Sequence, residues 1–227
     1  MNSSKLPQLY SYWRSSCSYR VRIVLNLKEI DYNTVPIDIF KGGGEQFSDN
    51  YRQINPMKKV PALVIDGHTI VESLNIMQYL EETRPQKSLM PLDVLKRAKV
   101  REICEMIQSG IQPLQNVGVV SRFENFVKEN QESIKLEWAQ YWIIQGFTAL
   151  NEVLTASAGK YCVGDDITLA DCCLIPQVYN ARKFKVDMQQ FPNLSRVATH
   201  LENHPAFYAA HPSNQPDCPQ EFKTHKI

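Results

Sequence analysis

Two aliphatic, β-branched runs, Val60-Pro61-Ala62-Leu63-Val64-Ile65 and His68-Thr69-Ile70-Val71, are separated only by Asp66-Gly67. A two-residue Asp-Gly connection tolerates positive φ at both positions and closes a tight hairpin. This fixes one antiparallel pair and leaves the preceding sequence to supply its neighbours. Leu9 to Trp13 reads as a strand running into the polar turn Arg14-Ser15-Ser16. An amphipathic helix follows, with Val21, Val24, Leu25 and Leu27 near helical spacing, ending around Glu29-Ile30. Tyr32 to Ile39 reads as a second strand, broken by Gly42-Gly43-Gly44, and a short helix around Phe47 to Ile54 stops at Asn55-Pro56. After the hairpin, Glu72-Ser73 opens a helix carrying Leu74, Ile76, Met77 and Leu80, which closes at Thr83-Arg84-Pro85.

The resulting order is β-α-β-α-β-β-α. A parallel βαβ half joined to a β-hairpin and a helix is the thioredoxin arrangement. The sequence beyond it is helical throughout. Leu95 to Leu114 and Ile134 to Leu154 carry long helical periodicity, and Thr168-Leu169-Ala170-Asp171 fits an N-terminal capping box. A last helix is expected near Leu194 to Asn203, stopping at His204-Pro205. The expected organisation is therefore α/β plus all-α: a thioredoxin-like domain over 1–84, a linker over 85–92 between Pro85 and Pro91, and an all-helical domain over 93–227.

Charge and cysteine use narrow the function classes. The 227 residues carry a formal net charge of +1, with no basic block or acidic tail, which argues against nucleic-acid and membrane partners. No apolar run approaches the ~20 residues of a membrane span. The start, Met1 to Pro7, has no signal-peptide core. Six scattered cysteines, two of them adjacent at Cys172-Cys173, suit reduced thiols in a cytoplasmic protein better than a disulfide framework. His200 and His204 stand four apart, but Pro205 ends the helix, and no metal site is expected.

The chemistry points to the turn Arg14-Ser15-Ser16-Cys17, between the first strand and the first helix. Ligands of open α/β units bind beyond the carboxyl ends of the strands, near helix N-termini. A serine hydroxyl there can donate to a thiolate. Such a charge-assisted bond is worth about 1.5–3 kcal/mol, against roughly 0.3–1 for the helix dipole. At about 1.36 kcal/mol per pKa unit, the two together bring a thiol from about 8.5 to near 7, with the hydroxyl the larger effect. The alternative is that Ser15 and Ser16 merely cap the helix. Cys17 has Arg20 where a second redox cysteine would stand, so no dithiol cycle is available. Val60-Pro61, if cis, would present backbone polar groups to an extended peptide. At Glu72-Ser73 the serine suits a carboxylate and the glutamate an ammonium, the pairing of an α-amino acid head group.

Ser15-Ser16-Cys17-Ser18 followed by Arg20-Val21-Arg22-Ile23 closely resembles the signature of the zeta class of glutathione transferases, also called maleylacetoacetate isomerases. The similarity continues through Asn55-Pro56-Met57-Lys58, Val60-Pro61, Gly110 to Asn116, Cys162 to Asp165 and Pro176-Gln177-Val178, and spares only the longer segment from Ser121 to Ile134. The resemblance implies a cytoplasmic homodimer that uses glutathione as cofactor to isomerise maleylacetoacetate to fumarylacetoacetate in tyrosine and phenylalanine catabolism. It also implies transferase activity toward small electrophiles such as α-halo acids. It places glutathione contacts on Ser15, Ser16, Cys17, Gln46, Val60, Glu72, Ser73, Gln112 and Asn116. It makes Ser16 the thiolate donor with Cys17 beside it. For the isomerase chemistry, Arg14, with Arg182 or Lys183, is expected to bind the substrate carboxylate and stabilise the enolate. Three departures stand out: Glu72 where the class has glutamine, Val117-Gly118 in place of a more polar stretch, and Lys183 where it carries arginine. A transferase or peroxidase without isomerase activity, or a glutathione-dependent ligand-binding protein, are the alternative readings.

Overall fold

A computed structural model of the chain describes residues 6–223, and the reading of Met1 to Lys5 as lacking a leader core lies outside them. The chain falls into two compact units, Met1–Ser88 with Asn203–Ile227, and Leu89–Glu202.

In the first unit, four strands lie in the order β2-β1-β3-β4: β1 (Gln8–Ser11), β2 (Asn33–Pro36), β3 (Ala62–Ile65) and β4 (His68–Val71). β1 runs parallel to β2 and antiparallel to β3, with Leu9 opposite both Thr34 and Leu63. Asp66 (φ 54°) and Gly67 (φ 79°) both sit at positive φ, as the hairpin turn requires. Helices α1 (Ser16–Leu27), α2 (Asp49–Ile54) and α3 (Ser73–Thr83) complete the expected order. Both outer ends of the first two strands are shorter than their hydrophobic runs. β1 stops at Ser11 because the carbonyls of Tyr12 and Trp13 turn to the guanidinium of Arg22. Beyond β2, the Asp38 amide donates to the Glu45 carboxylate at 2.7 Å, and residues 41–47 form short 3-10 turns.

A buried lysine ties the lower ends of α1 and α3 together. Lys28 Nζ donates to the carbonyls of Arg84 and Lys87 at 2.8 and 2.9 Å and pairs with Glu81 at 2.8 Å. It thus satisfies the Arg84 carbonyl at the C-cap of α3 and the Lys87 carbonyl in the 3-10 turn that follows.

The structure departs from the expected division at the end of the chain. α8 (Pro192–Glu202) stops before His204-Pro205 as expected, but it is not the last helix. His204 instead caps a further one, α9 (Pro205–Ala210), accepting from the Ala206 amide at 3.2 Å, with proline at the first helical position. α9 packs on α1: Asn26 donates to the Ala206 carbonyl and Arg22 Nε to the Ala210 carbonyl, each at 3.0 Å. These long-range bonds are why Asn203–Ile227 groups with the first unit and not with the helices that precede it.

The second unit is built from α4 (Val94–Glu105), α5 (Val117–Val120), α6 (Gln131–Ser157), α7 (Leu169–Lys183) and α8 (Pro192–Glu202) around Val100, Ile103, Ile143, Phe147, Leu150, Leu174 and Val197, all fully buried. The single helix expected over Leu95 to Leu114 is broken. It passes through a wide π turn at Met106–Ile111 into a 3-10 turn at Gln112–Gln115, where Pro113 has no amide to continue the ladder. The longer segment after Ser121 forms a 3-10 turn and reaches α6 through Asn130 in the left-handed region (φ 54°), with the Phe123 ring against Trp138 at 5.1 Å. The capping box of α7 is present. Asp171 is fully buried and accepts from the amides of Cys162 (2.9 Å) and Thr168 (2.7 Å) and from the Thr168 hydroxyl (2.9 Å).

Candidate active site

The N-terminus of α1 separates the two serines by role. Ser15 is the N-cap: its Oγ accepts from the Ser18 amide at 3.2 Å. Ser16 is the first helical residue, 6% exposed, and does not cap the helix. The capping explanation therefore accounts for Ser15 alone and leaves the Ser16 hydroxyl for another partner. Cys17 is half-buried beside it, and its sulfur is a free thiol. The dipole of a 12-residue helix favours negative charge at this end.

Arg14, one residue before the cap, is half-buried, and its guanidinium lies over two aromatic rings: Trp13 at 5.4 Å and Phe40 at 5.7 Å. Among the described residues it makes no salt bridge. A cation held by ring faces keeps its in-plane N–H groups for a carboxylate.

Four further expected positions, Gln46, Val60, Glu72 and Ser73, belong to the same unit. Gln46, 8% exposed, donates from Nε2 to the Ile39 carbonyl at 3.2 Å, while its buried Oε1 has no donor among the described residues. A buried amide oxygen without a partner is costly, and a ligand N–H would complete it. Gly44 makes this placement possible, since a Cβ there would lie 2.5 Å from the Gln46 amide atoms and its φ is +106°. Gly44→Ala should therefore displace Gln46 and raise KM for a peptide ligand about tenfold, with kcat changed less; steady-state kinetics with the ligand varied would check this. Val60 precedes a cis peptide bond to Pro61, directly before β3, and packs against the cluster of Tyr12, Trp13 and Cys218.

At the start of α3, Glu72 is exposed and occupies the left-handed region (φ 66°, ψ 120°), a conformation costly for a non-glycine residue. Ser73 follows, buried, and its Oγ accepts from Arg20 Nη1 at 3.2 Å. Arg20 is itself fully buried. A hydroxyl that accepts from a cation still carries a proton to donate, and the buried positive charge behind it adds to the helix dipole in favouring an anion.

The remaining expected positions belong to the second unit. Gln112, half-buried, opens the 3-10 turn, and Asn116 caps α5 through its side chain, which accepts from the Gly118 amide at 3.0 Å. At the end of α7, Arg182 forms an ion pair with Glu202, while Lys183 is exposed with its ammonium 5.3 Å from the Phe184 ring. The structure thus engages Arg182 elsewhere, and Lys183 is a point charge without a planar fork.

Sequence reasoning missed Arg20 and Arg22 as site supports. Both sit in an apolar helix with no acidic residue within it, and that mismatch was the available signal.

Comparison with known proteins agrees with this architecture. The glutathione S-transferase N-terminal domain family matches residues 9–88, and its C-terminal domain family matches residues 119–209. The chain is 61% identical over 216 residues to a Drosophila melanogaster protein named "Probable maleylacetoacetate isomerase 2", covering 95% of this chain and 92% of that one. A bacterial maleyl pyruvate isomerase, described as a zeta-class glutathione S-transferase, superimposes with a TM-score of 0.89 at 34% identity, covering 93% and 100% of the two chains. Maleylacetoacetate isomerase from Anaeromyxobacter dehalogenans, solved with glutathione in its active site, gives a TM-score of 0.84 at 41% identity, covering 94% and 98%. With both domain families matched in order and the fold shared along nearly the whole length, the chain belongs to the glutathione S-transferase family, in its zeta class.

Proposed function

We propose that this protein is a glutathione-dependent cis–trans isomerase that converts maleylacetoacetate to fumarylacetoacetate, works as a cytoplasmic homodimer, and also accepts small electrophiles such as α-halo acids. The observation that carries the reading is the division of labour at α1: Ser15 caps, and the adjacent Ser16 hydroxyl is left to meet a sulfur. The residues fit glutathione chemically. Gln46 Oε1 lacks a donor among the described residues, Ser73 backed by Arg20 suits the γ-glutamyl carboxylate, and Glu72 suits its ammonium.

Glutathione, when bound, supplies a thiolate that adds to the cis double bond of the diacid and leaves after rotation about the resulting single bond. The Ser16 hydroxyl donates to the sulfur and lowers its proton affinity. Arg14, braced by Trp13 and Phe40, takes a substrate carboxylate and stabilises charge developing on the conjugated oxygens. Cys17 stands beside the sulfur as a supporting group. The Val60 backbone flanks the peptide, while Gln112, Asn116 and Lys183 rest on the resemblance alone. The homodimer also rests on the resemblance, and exposed Phe47 and Met57 offer apolar surface to it. Six free cysteines suit a reducing compartment.

A second reading is favoured by one observation. Arg182 is committed to Glu202 and Lys183 lacks a bidentate fork, so conjugation of an α-halo acid, which needs less of a second carboxylate clamp, gains weight. The test is purified protein with maleylacetoacetate and a glutathione mass balance. Glutathione-dependent loss of substrate with glutathione conserved is the expected result. Stoichiometric glutathione consumption with an α-halo acid in a parallel assay, without loss of maleylacetoacetate, would favour conjugation, and no turnover of either substrate would reject both.

A further inference from the structure

The turn that carries Arg14, Ser15 and Ser16 is held by residues far from it in sequence. The Trp13 amide donates to Asp217 Oδ2 at 2.8 Å, across 204 positions. The Trp13 carbonyl accepts from Arg22 Nη2 at 3.0 Å, and the Tyr12 carbonyl from Arg22 Nη1 at 3.4 Å and from the Ser15 amide at 3.0 Å. Arg22, fully buried, also donates to Ser11 Oγ at 3.1 Å. The amide and the carbonyl of Trp13, in successive peptide groups, are thereby held by charges of opposite sign. The side chain is fixed as well: the Trp13 ring packs with Tyr12 and Cys218, and Phe222 stacks on it at 5.5 Å and 25°. The same ring supports the Arg14 guanidinium.

We propose that the segment Asp217–Phe222 is a positioning element for the active site: Asp217, acting with Arg22, fixes the backbone at Trp13 and so aims the Ser16 hydroxyl. Asp217 touches neither serine and acts through the backbone turn. A hydroxyl misplaced by about 1 Å loses much of its bond to a thiolate, since hydrogen bonds weaken steeply with distance and angle. The inference rests on the reading of Ser16 as thiolate donor.

The experiment is a double-mutant cycle between D217A and S16A, read as the pKa of enzyme-bound glutathione thiol from thiolate absorbance and as kcat/KM. D217A alone is expected to raise that pKa by about half to one unit and lower kcat/KM about tenfold. D217N, which keeps an oxygen for the Trp13 amide, should recover to within about threefold of the parent. In the S16A background, D217A should add less than about twofold, because residues acting through one group are non-additive. Should D217A not be recovered folded, F222A decides in the same cycle. Its ring is exposed, and it should lower kcat/KM about threefold in the parent and have no effect in S16A. Parental pKa and kcat/KM in these variants, with S16A effective, overturn the positioning role while leaving the Ser16 reading intact. Full additivity with S16A overturns it too. An inert S16A sinks the Ser16 reading itself, and any remaining D217A effect then has to run through another group.

Discussion

Replacing Ser16 with alanine should raise the pKa of enzyme-bound glutathione by about one to two units, the equivalent of a hydrogen bond to a charged acceptor worth about 1.5–3 kcal/mol. At neutral pH, a thiol poised near 7 would fall from about half ionised to a few per cent. The rate at saturating glutathione should drop roughly tenfold, with most of it restored by raising the pH. The direction follows from the sign of the shift: a lost donor destabilises the anion, so the pH–rate profile moves to higher pH. Ser15→Ala should act differently, costing about 1 kcal/mol of stability through its cap before it touches the thiol. Cys17→Ala should shift the thiol less than Ser16→Ala. Parallel absorbance titrations of the three variants separate these roles, and a thiol pKa that moves in C17A but not in S16A would reverse the assignment.

The second large effect lies in the helical unit. Asp171→Ala should destabilise the protein by about 3–4 kcal/mol. It removes the one acceptor for two buried backbone amides, those of Cys162 and Thr168, and each orphaned donor costs about 1–3 kcal/mol. Burial pushes the Asp171 carboxyl above the usual carboxylate range, against the pull of its donors, so the site accepts a heavy desolvation cost that only its bonds offset. For a chain of this size the melting temperature should fall by roughly 6–15 °C. Asp171→Asn should recover less than half of the loss, because the amide presents N–H groups toward the Thr168 donors. A thermal shift under about 3 °C for D171A would show that the cap contributes little.

Much of this was readable in the sequence, and the reasons differ by element. The hairpin was legible because Asp66-Gly67 admits almost no other geometry between two strand-like runs. The capping box was legible because Thr168 and Asp171 signal through local spacing. The break in the helix expected over Leu95 to Leu114 was hidden, since apolar periodicity persists across the π turn while Gly110 and Pro113 permit the departure. The strand ends were over-read for a similar reason: Tyr12 and Trp13 continue the hydrophobic run, but Arg22 takes their carbonyls out of the ladder.

Within the site, Ser15, Ser16, Glu72 and Ser73 announced themselves as helix-opening residues. Their roles did not. Only the observed bond from the Ser18 amide assigns the cap to Ser15, and only the fold brings Arg20 to Ser73 across 53 positions. Asp217 is invisible to local reasoning, because its partner lies at the opposite end of the chain. The placement of Asn203–Ile227 with the first unit has the same origin: a proline-capped helix whose neighbours in space are not its neighbours in sequence.

A crystal structure of the protein soaked with glutathione tests the central claim most directly. The account predicts the sulfur within hydrogen-bonding distance of Ser16 Oγ, with the γ-glutamyl carboxylate at Ser73. A sulfur beyond reach of both Ser15 and Ser16 would contradict it.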